Sequence, residues 1–305
     1  MSEYKRKFTN SEKRHKLAKF NSVYYEGDPN NWKVSRLPNW MSFYGYELDK
    51  ELHGKSPKYY RKFKQGTIVM IDYGVPVGNE LGGKHFGIVL SNNDTKFKRK
   101  IMVVPLSSHY HKGYIDLGYD LMQGITKLIQ NRVIELNETV DSLIERLIQF
   151  KNSNNGKTFT FTIQEINFIQ ANNIDGSLIF KEENSFNIEK RDPDFEKLIY
   201  QIKATDSWEK YPNIFKYVSF FDTIFSFQKE IFEGIEYGKN MVKQLNELLR
   251  KFQKYNKQSF AVISDVKTVS KLKVAKLSHF TISGNTYISN KALTKIKEEV
   301  IKTIE

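Results

Sequence analysis

Residues 66–108 read GTIVMIDYGVPVGNELGGKHFGIVLSNNDTKFKRKIMVVPLSS. Three short, β-branched runs, at 66–73, 86–91 and 101–107, are bounded by Gly, Asn or Asp, the pattern of buried strands joined by turns. The links between them are too short for a helical crossover. The segment therefore predicts a twisted antiparallel sheet or small barrel rather than a βαβ unit. Pro105, near the end of the third run, predicts an edge or bulge position. Gly78, Gly82 and Gly83 permit sharp turns or close approach of the backbone to a ligand. Glu80, Lys84 and His85, with Ser107 and Ser108, put polar groups at the mouths of strands. Together they point to a site on a β-scaffold.

Outward from this stretch the pattern changes. Residues 1–59 predict an irregular, partly helical extension, with turn signals at Asp28-Pro29-Asn30-Asn31 and Leu37-Pro38-Asn39. Its tryptophans, Trp32 and Trp40, are expected to pack onto the body of the protein. From about 120 to 150, and again from about 214 to 255, apolar residues recur at spacings of three, four and seven. These two segments predict long amphipathic helices able to pair as a hairpin, the second kinked or divided at Gly234 and Gly238. A polar loop at 151–157 and a turn at Asp192-Pro193-Asp194 punctuate the region between them. Strand character returns at 259–270, and a helix over 289–304 closes the chain. The organisation that follows is a basic extension (1–59), a strand-rich core in two pieces (60–118 and 258–305), and a mostly helical insertion (119–257). The fold class is α+β.

The 305 residues are 39% hydrophobic and 14% aromatic, ample for a packed core and against disorder over most of the length. The absence of cysteine excludes disulfides and thiolate zinc sites and fits a reducing compartment. The charged N-terminus and the lack of any membrane-length apolar run make a cytoplasmic protein the expectation, with no membrane partner. The net charge is +13, with 15 Lys/Arg against 7 Asp/Glu in residues 1–66, a surplus of 8. Such a field favours a polyanionic partner, most often nucleic acid, although a Lys-rich surface can also reflect an AT-rich genome.

The run from Gln65-Gly66-Thr67, through Gly78-Asn79-Glu80-Leu81-Gly82-Gly83-Lys84-His85-Phe86 and Gly87-Ile88-Val89-Leu90-Ser91-Asn92, to Val103-Val104-Pro105-Leu106-Ser107-Ser108 resembles the MazF/PemK family of bacterial toxin endoribonucleases. Residues 261–268, an apolar run before Lys267-Thr268, resemble the family's late strand, and 289–304 its terminal helix. The resemblance covers about a third of the chain. It implies an SH3-like small β-barrel of the kind shared by MazF, PemK and the gyrase-poisoning CcdB, here interrupted by the helical insertion, and usually a homodimer. It implies cleavage of single-stranded RNA without metal or other cofactor, by attack of the 2′-hydroxyl on phosphorus to leave a 2′,3′-cyclic phosphate and a 5′-hydroxyl end. It also implies an antitoxin, protein or RNA, as partner.

The family's loop arginine falls at His85 and its strand-end threonine at Ser107. Histidine can move a proton near neutral pH but cannot provide a permanent bidentate clamp on phosphate. His85, Ser107 and Glu80 are the expected catalytic residues. His85 would act as acid or base, Ser107 would hydrogen-bond a phosphoryl oxygen, and Glu80 would orient His85 or Lys84 or serve as base. Lys84, or Lys96, Lys98, Arg99 and Lys100 in the next loop, would restore the missing charge, and Gly82, Gly83, Ser108 and His109 complete the expected RNA-binding set. No metal site is expected. The rival readings are a non-catalytic RNA- or DNA-binding module on the same barrel, and a toxin that binds a protein target such as gyrase.

Overall fold

A computed structural model describes residues 7–154, 157–179 and 192–305. Residues 1–6 of the expected extension and 155–156 of the expected polar loop lie outside the described residues. The chain divides into two compact units, one made of Met1–Asn131 with Glu247–Glu305, the other of Arg132–Asn246.

The first unit is built on an antiparallel, curled half-barrel sheet. Strands β1 (Thr67–Asp72), β2 (Lys84–Val89) and β3 (Lys100–Ser107) form where the three apolar runs predict them. β4 (Ile115–Asp116) follows, and β5 (Phe260–Ala261), β6 (Lys267–Ser270) and β7 (Thr286–Tyr287) come from the far end of the sequence. The sheet order is β4-β5-β3-β2-β1-β7, with β6 also paired to β3.

β3 is therefore an inner strand, and Pro105 is not on an edge. One side of β3 pairs with β2, from Gly87↔Pro105 to Val89↔Val103. The other side is shared, Lys100–Val103 with β6 and Leu106–Ser107 with β5. Pro105 falls in the gap between those two partners. Its carbonyl accepts from Val262 N (2.9 Å), and the N–H that proline lacks would face the same gap, where no ladder acceptor waits.

The two sheet faces bury separate cores. One face carries Ile68, Phe86, Ile88, Val104 and Leu106 against Leu121, Met122, Ile125, Leu248 and Ile296. The other carries Val69, Ile71, Tyr73, Val89, Ile101 and Val103 with Phe63 and Val269. The alternation along each strand is the period-two pattern of a sheet covered on both sides. A buried ion pair joins the β2–β3 loop to the residue after β6. Lys271 Nζ lies 2.7 Å from Asp94 Oδ2 and also donates to Arg61 O (2.9 Å) and Thr95 O (3.1 Å), while Asp94 Oδ2 accepts from Phe63 N (2.8 Å).

The extension is more regular than its sequence suggested. It forms α1 (Asn10–Glu26) and α2 (Trp32–Leu52). Thr9 and Glu12 make a capping box for α1, and Asn31 caps α2 by accepting from Lys33 N (2.9 Å). The turn at 28–31 separates the two helices, whereas Leu37-Pro38-Asn39 lies inside α2. A proline there forfeits one helical hydrogen bond. The helix persists because Trp32, Arg36 and Trp40, at i, i+4 and i+8, dock one face onto the β1–β2 loop. α7 (Asn290–Ile304), capped by Ser289, completes the first unit and adds Ala292 and Ile296 to its core.

α3 (Asp120–Asn154) and α6 (Pro212–Tyr255) are the two long helices predicted, and Gly234 and Gly238 do not interrupt α6. Gly234 instead admits Leu143, whose Cδ2 would stand 2.5 Å from a β-carbon added there. In the second unit, α4 (Ile163–Ala171) and α5 (Pro193–Lys203) pack with α6 around Tyr217 and Phe221. Asp192-Pro193-Asp194 is the capped start of α5 rather than a free turn, with Asp192 accepting from Asp194 N (3.0 Å). Glu165 is buried between two helix starts. Burial would raise its pKa, but hydrogen bonds from Thr162 and Asn213 outweigh that and hold it below the usual value. An open apolar groove of about 750 Å³, lined by Val140, Leu143, Ile144, Ile231 and Ile235 among others, runs between α3 and α6 in this unit. Among the described residues no helix is long and apolar enough to cross a membrane.

Candidate functional site

Register decides which side chains can meet. Ile71 pairs with His85 and Gly87 with Pro105, so Tyr73, His85, Gly87 and Ser107 share one face of neighbouring strands. Lys267, paired with Val103, projects to that face as well. Its Nζ lies 5.5 Å from the centre of the Tyr73 ring and 3.8 Å from Asp265 Oδ1. Asp265 Oδ2 accepts from Leu81 N (2.8 Å), which fixes the glycine loop leading into β2.

His85 is half-buried at the start of β2. Burial lowers its pKa below the ordinary 6.5; backbone hydrogen bonds with Leu106 and Gly82 pull the other way, and the Arg36 guanidinium lowers it further. The net direction favours the neutral imidazole at pH 7, the form that accepts a proton. Arg36 reaches this place from α2. Its ring neighbour is Trp32, 5.3 Å from the guanidinium, and its Nε would be 3.3 Å from a β-carbon on Gly83. Gly83 also has φ +75°, so a side chain here would be both strained and in the way of Arg36. On either side of Arg36, Trp32 abuts Gly82 and Trp40 lies on Gly74. Lys33 Nζ donates to Gly78 O (2.8 Å), so α2 holds the loop at several points.

Tyr73 lies at the floor of this face. A β-carbon on Gly87 would stand 2.8 Å from its hydroxyl oxygen, so the glycine makes room for it. That hydroxyl is buried and has no hydrogen-bond partner among the described residues. Burial, and secondarily the Asp265 carboxylate, push its pKa well up, so it stays protonated.

The structure thus brings His85, Gly82 and Gly83 together, with Ser107 on the same face. The Ser107 hydroxyl donates its proton to His109 O (2.8 Å) and accepts from His109 N (3.0 Å), closing a tight turn. It retains one lone pair, which suits a donor rather than a phosphoryl oxygen. Ser108 Oγ lies 3.2 Å from His109 Nδ1 in the same exposed turn. Glu80 is exposed and has no hydrogen bond or ion pair among the described residues. Lys84 pairs with Asp72 in register and so sits on the opposite face from His85. Lys96, Lys98, Arg99 and Lys100 lie at the other end of β2 and β3. Leu90 lies five residue steps beyond His85, roughly 17 Å at about 3.3 Å per residue. No group of three His, Asp or Glu side chains converges to hold a metal among the described residues.

Arg36, Tyr73 and Asp265 were not singled out by sequence reasoning. A signal for Arg36 exists in the Trp32-x3-Arg36-x3-Trp40 spacing, which puts a cation between two large rings on one helix face. Its proximity to His85 has a direct check. His85 is expected to titrate below 6.5 by NMR, and Arg36→Gln to raise that midpoint by removing a like charge. A midpoint unmoved by the substitution would place Arg36 elsewhere.

No family model matches this sequence, and no curated protein and no solved structure matches it either.

Proposed function

We propose that this chain is a metal-independent endoribonuclease of MazF/PemK type, with the SH3-like barrel of that family in its first unit. The observation that carries the reading is the Arg36 side chain packed against Gly83, in the glycine loop that leads into His85. The family's arginine position holds histidine in this sequence, and a helix of the extension returns an arginine to the same loop.

The chemistry divides accordingly. Neutral His85 takes the proton of the attacking 2′-hydroxyl. Arg36 clamps the phosphate through its planar fork of donors and steadies the charge that builds on it. Lys267, on the same face, is the candidate donor to the departing 5′-oxygen. The products are a 2′,3′-cyclic phosphate and a 5′-hydroxyl end. The reading carries with it an RNA substrate, an antitoxin as regulatory partner, a cytoplasmic location and the family's homodimer.

The test is incubation of the full chain with a long single-stranded RNA in excess EDTA, followed by end-group analysis. Discrete cuts with 5′-hydroxyl ends are expected, and Arg36→Met should slow them by about 10²–10³-fold. Intact RNA that is nonetheless bound would favour the non-catalytic module. Intact, unbound RNA would remove both readings and leave the protein-targeting toxin.

A further inference from the structure

At the end of the sheet away from His85, two stretches of chain come together. Residues 55–64, KSPKYYRKFK, carry five cations, and residues 96–100, KFKRK, carry four. Neither stretch contains an acid, and Asp94, just before the second, is buried in its ion pair with Lys271. Tyr60 N donates to Lys96 O (2.8 Å), and Lys271 holds the carbonyls of Arg61 and Thr95, so the two stretches are fixed side by side.

Two aromatic rings stand in the middle of this field. Tyr59 is 51% exposed and Phe97 65% exposed. Their rings meet edge-on with centroids 5.6 Å apart. Lys96 Nζ lies 4.9 Å from the Tyr59 centroid and 5.3 Å from that of Phe97. Exposed rings beside two lysine-rich stretches that carry no acid are the components of a base-stacking platform. The cations follow a phosphate backbone, and the rings receive bases that are not already stacked in a duplex.

We infer that Tyr59, Phe97 and the surrounding lysines form a binding surface for single-stranded nucleic acid, separate from the His85 face. The inference does not depend on whether the chain cleaves RNA. Its test therefore uses a fluorescein-labelled (dT)20 strand, which has no 2′-hydroxyl and cannot be cut by that chemistry. Wild-type full-length chain is expected to bind it more tightly than a 20-base-pair duplex. Tyr59→Ala combined with Phe97→Ala should weaken strand binding by about tenfold or more while leaving duplex binding and the thermal midpoint unchanged. Lys96→Glu with Lys98→Glu should weaken both and flatten the salt dependence. The inference is overturned if the aromatic double variant stays within about threefold of wild type, or if strand and duplex bind equally. It is also overturned if the aromatic variant loses binding to phosphatidylserine vesicles while keeping its grip on (dT)20, which would make the surface a membrane contact.

Discussion

For the proposed endoribonuclease, His85→Ala is expected to slow RNA cleavage by about 10²–10⁴-fold, the usual contribution of a positioned acid–base group, and to leave RNA binding within a few-fold of wild type. His85 is only half-buried, and its ring bonds to backbone groups of Leu106 and Gly82 at the rim of the sheet. Its removal leaves no closed cavity, so the fold should survive, and unchanged far-ultraviolet circular dichroism would establish that. His85→Gln separates proton transfer from positioning. Glutamine can keep a hydrogen bond to those backbone groups but cannot carry the proton. If the role is proton transfer, Gln is as slow as Ala. If His85 merely props the loop, Gln retains activity near wild type, and the chemistry belongs to another residue.

Lys271→Met should destabilise the sheet of the first unit by about 3–5 kcal/mol, the cost typical of removing one partner from a buried ion pair. Both side chains are almost wholly inaccessible, at 2% and 0% exposure. Methionine matches the volume but leaves the Asp94 carboxylate without its counter-ion and the carbonyls of Arg61 and Thr95 without a donor. Replacing both partners by apolar residues would not restore stability here, because Asp94 also accepts from Phe63 N and Thr95 N. Native-state hydrogen exchange of β1 and β3 amides reads the effect locally, which matters in a chain of two units. A loss below about 1 kcal/mol would mean that water or relaxation replaces the pair at little cost.

The strands were legible because β-branched runs between Gly, Asn and Asp leave few alternatives, and the long helices because their apolar spacing persists over many turns. The edge alternative for Pro105 failed because its rule concerns a missing donor, and the gap between β5 and β6 satisfies that rule inside a sheet. Leu37-Pro38-Asn39 misled because docking of Trp32 and Trp40 overrides a local helix breaker. Within the site, His85 and its two glycines could be read from one continuous loop. The separation of Lys84 and of residues 96–100 from His85 could not, because it depends on strand alternation and on which end of the sheet a loop occupies. Arg36 and Asp265 come from distant stretches, and only the folded sheet shows that they flank the same loop.

The sheet is assembled from both sides of the second unit's sequence. β1, β2 and β3 are complete by Ser107, but β5, β6 and β7, along with Lys271, are encoded beyond Tyr255. On a ribosome, at about 5–20 residues per second, the early strands wait roughly 10–40 s for their edge partners. During that interval β1 and β3 present open edges, which are prone to pairing with other chains. A nascent or truncated chain also has His85 and Arg36 but neither Asp265 nor Lys267. Any activity that needs all four is therefore withheld until more than 150 residues beyond β3 have been made.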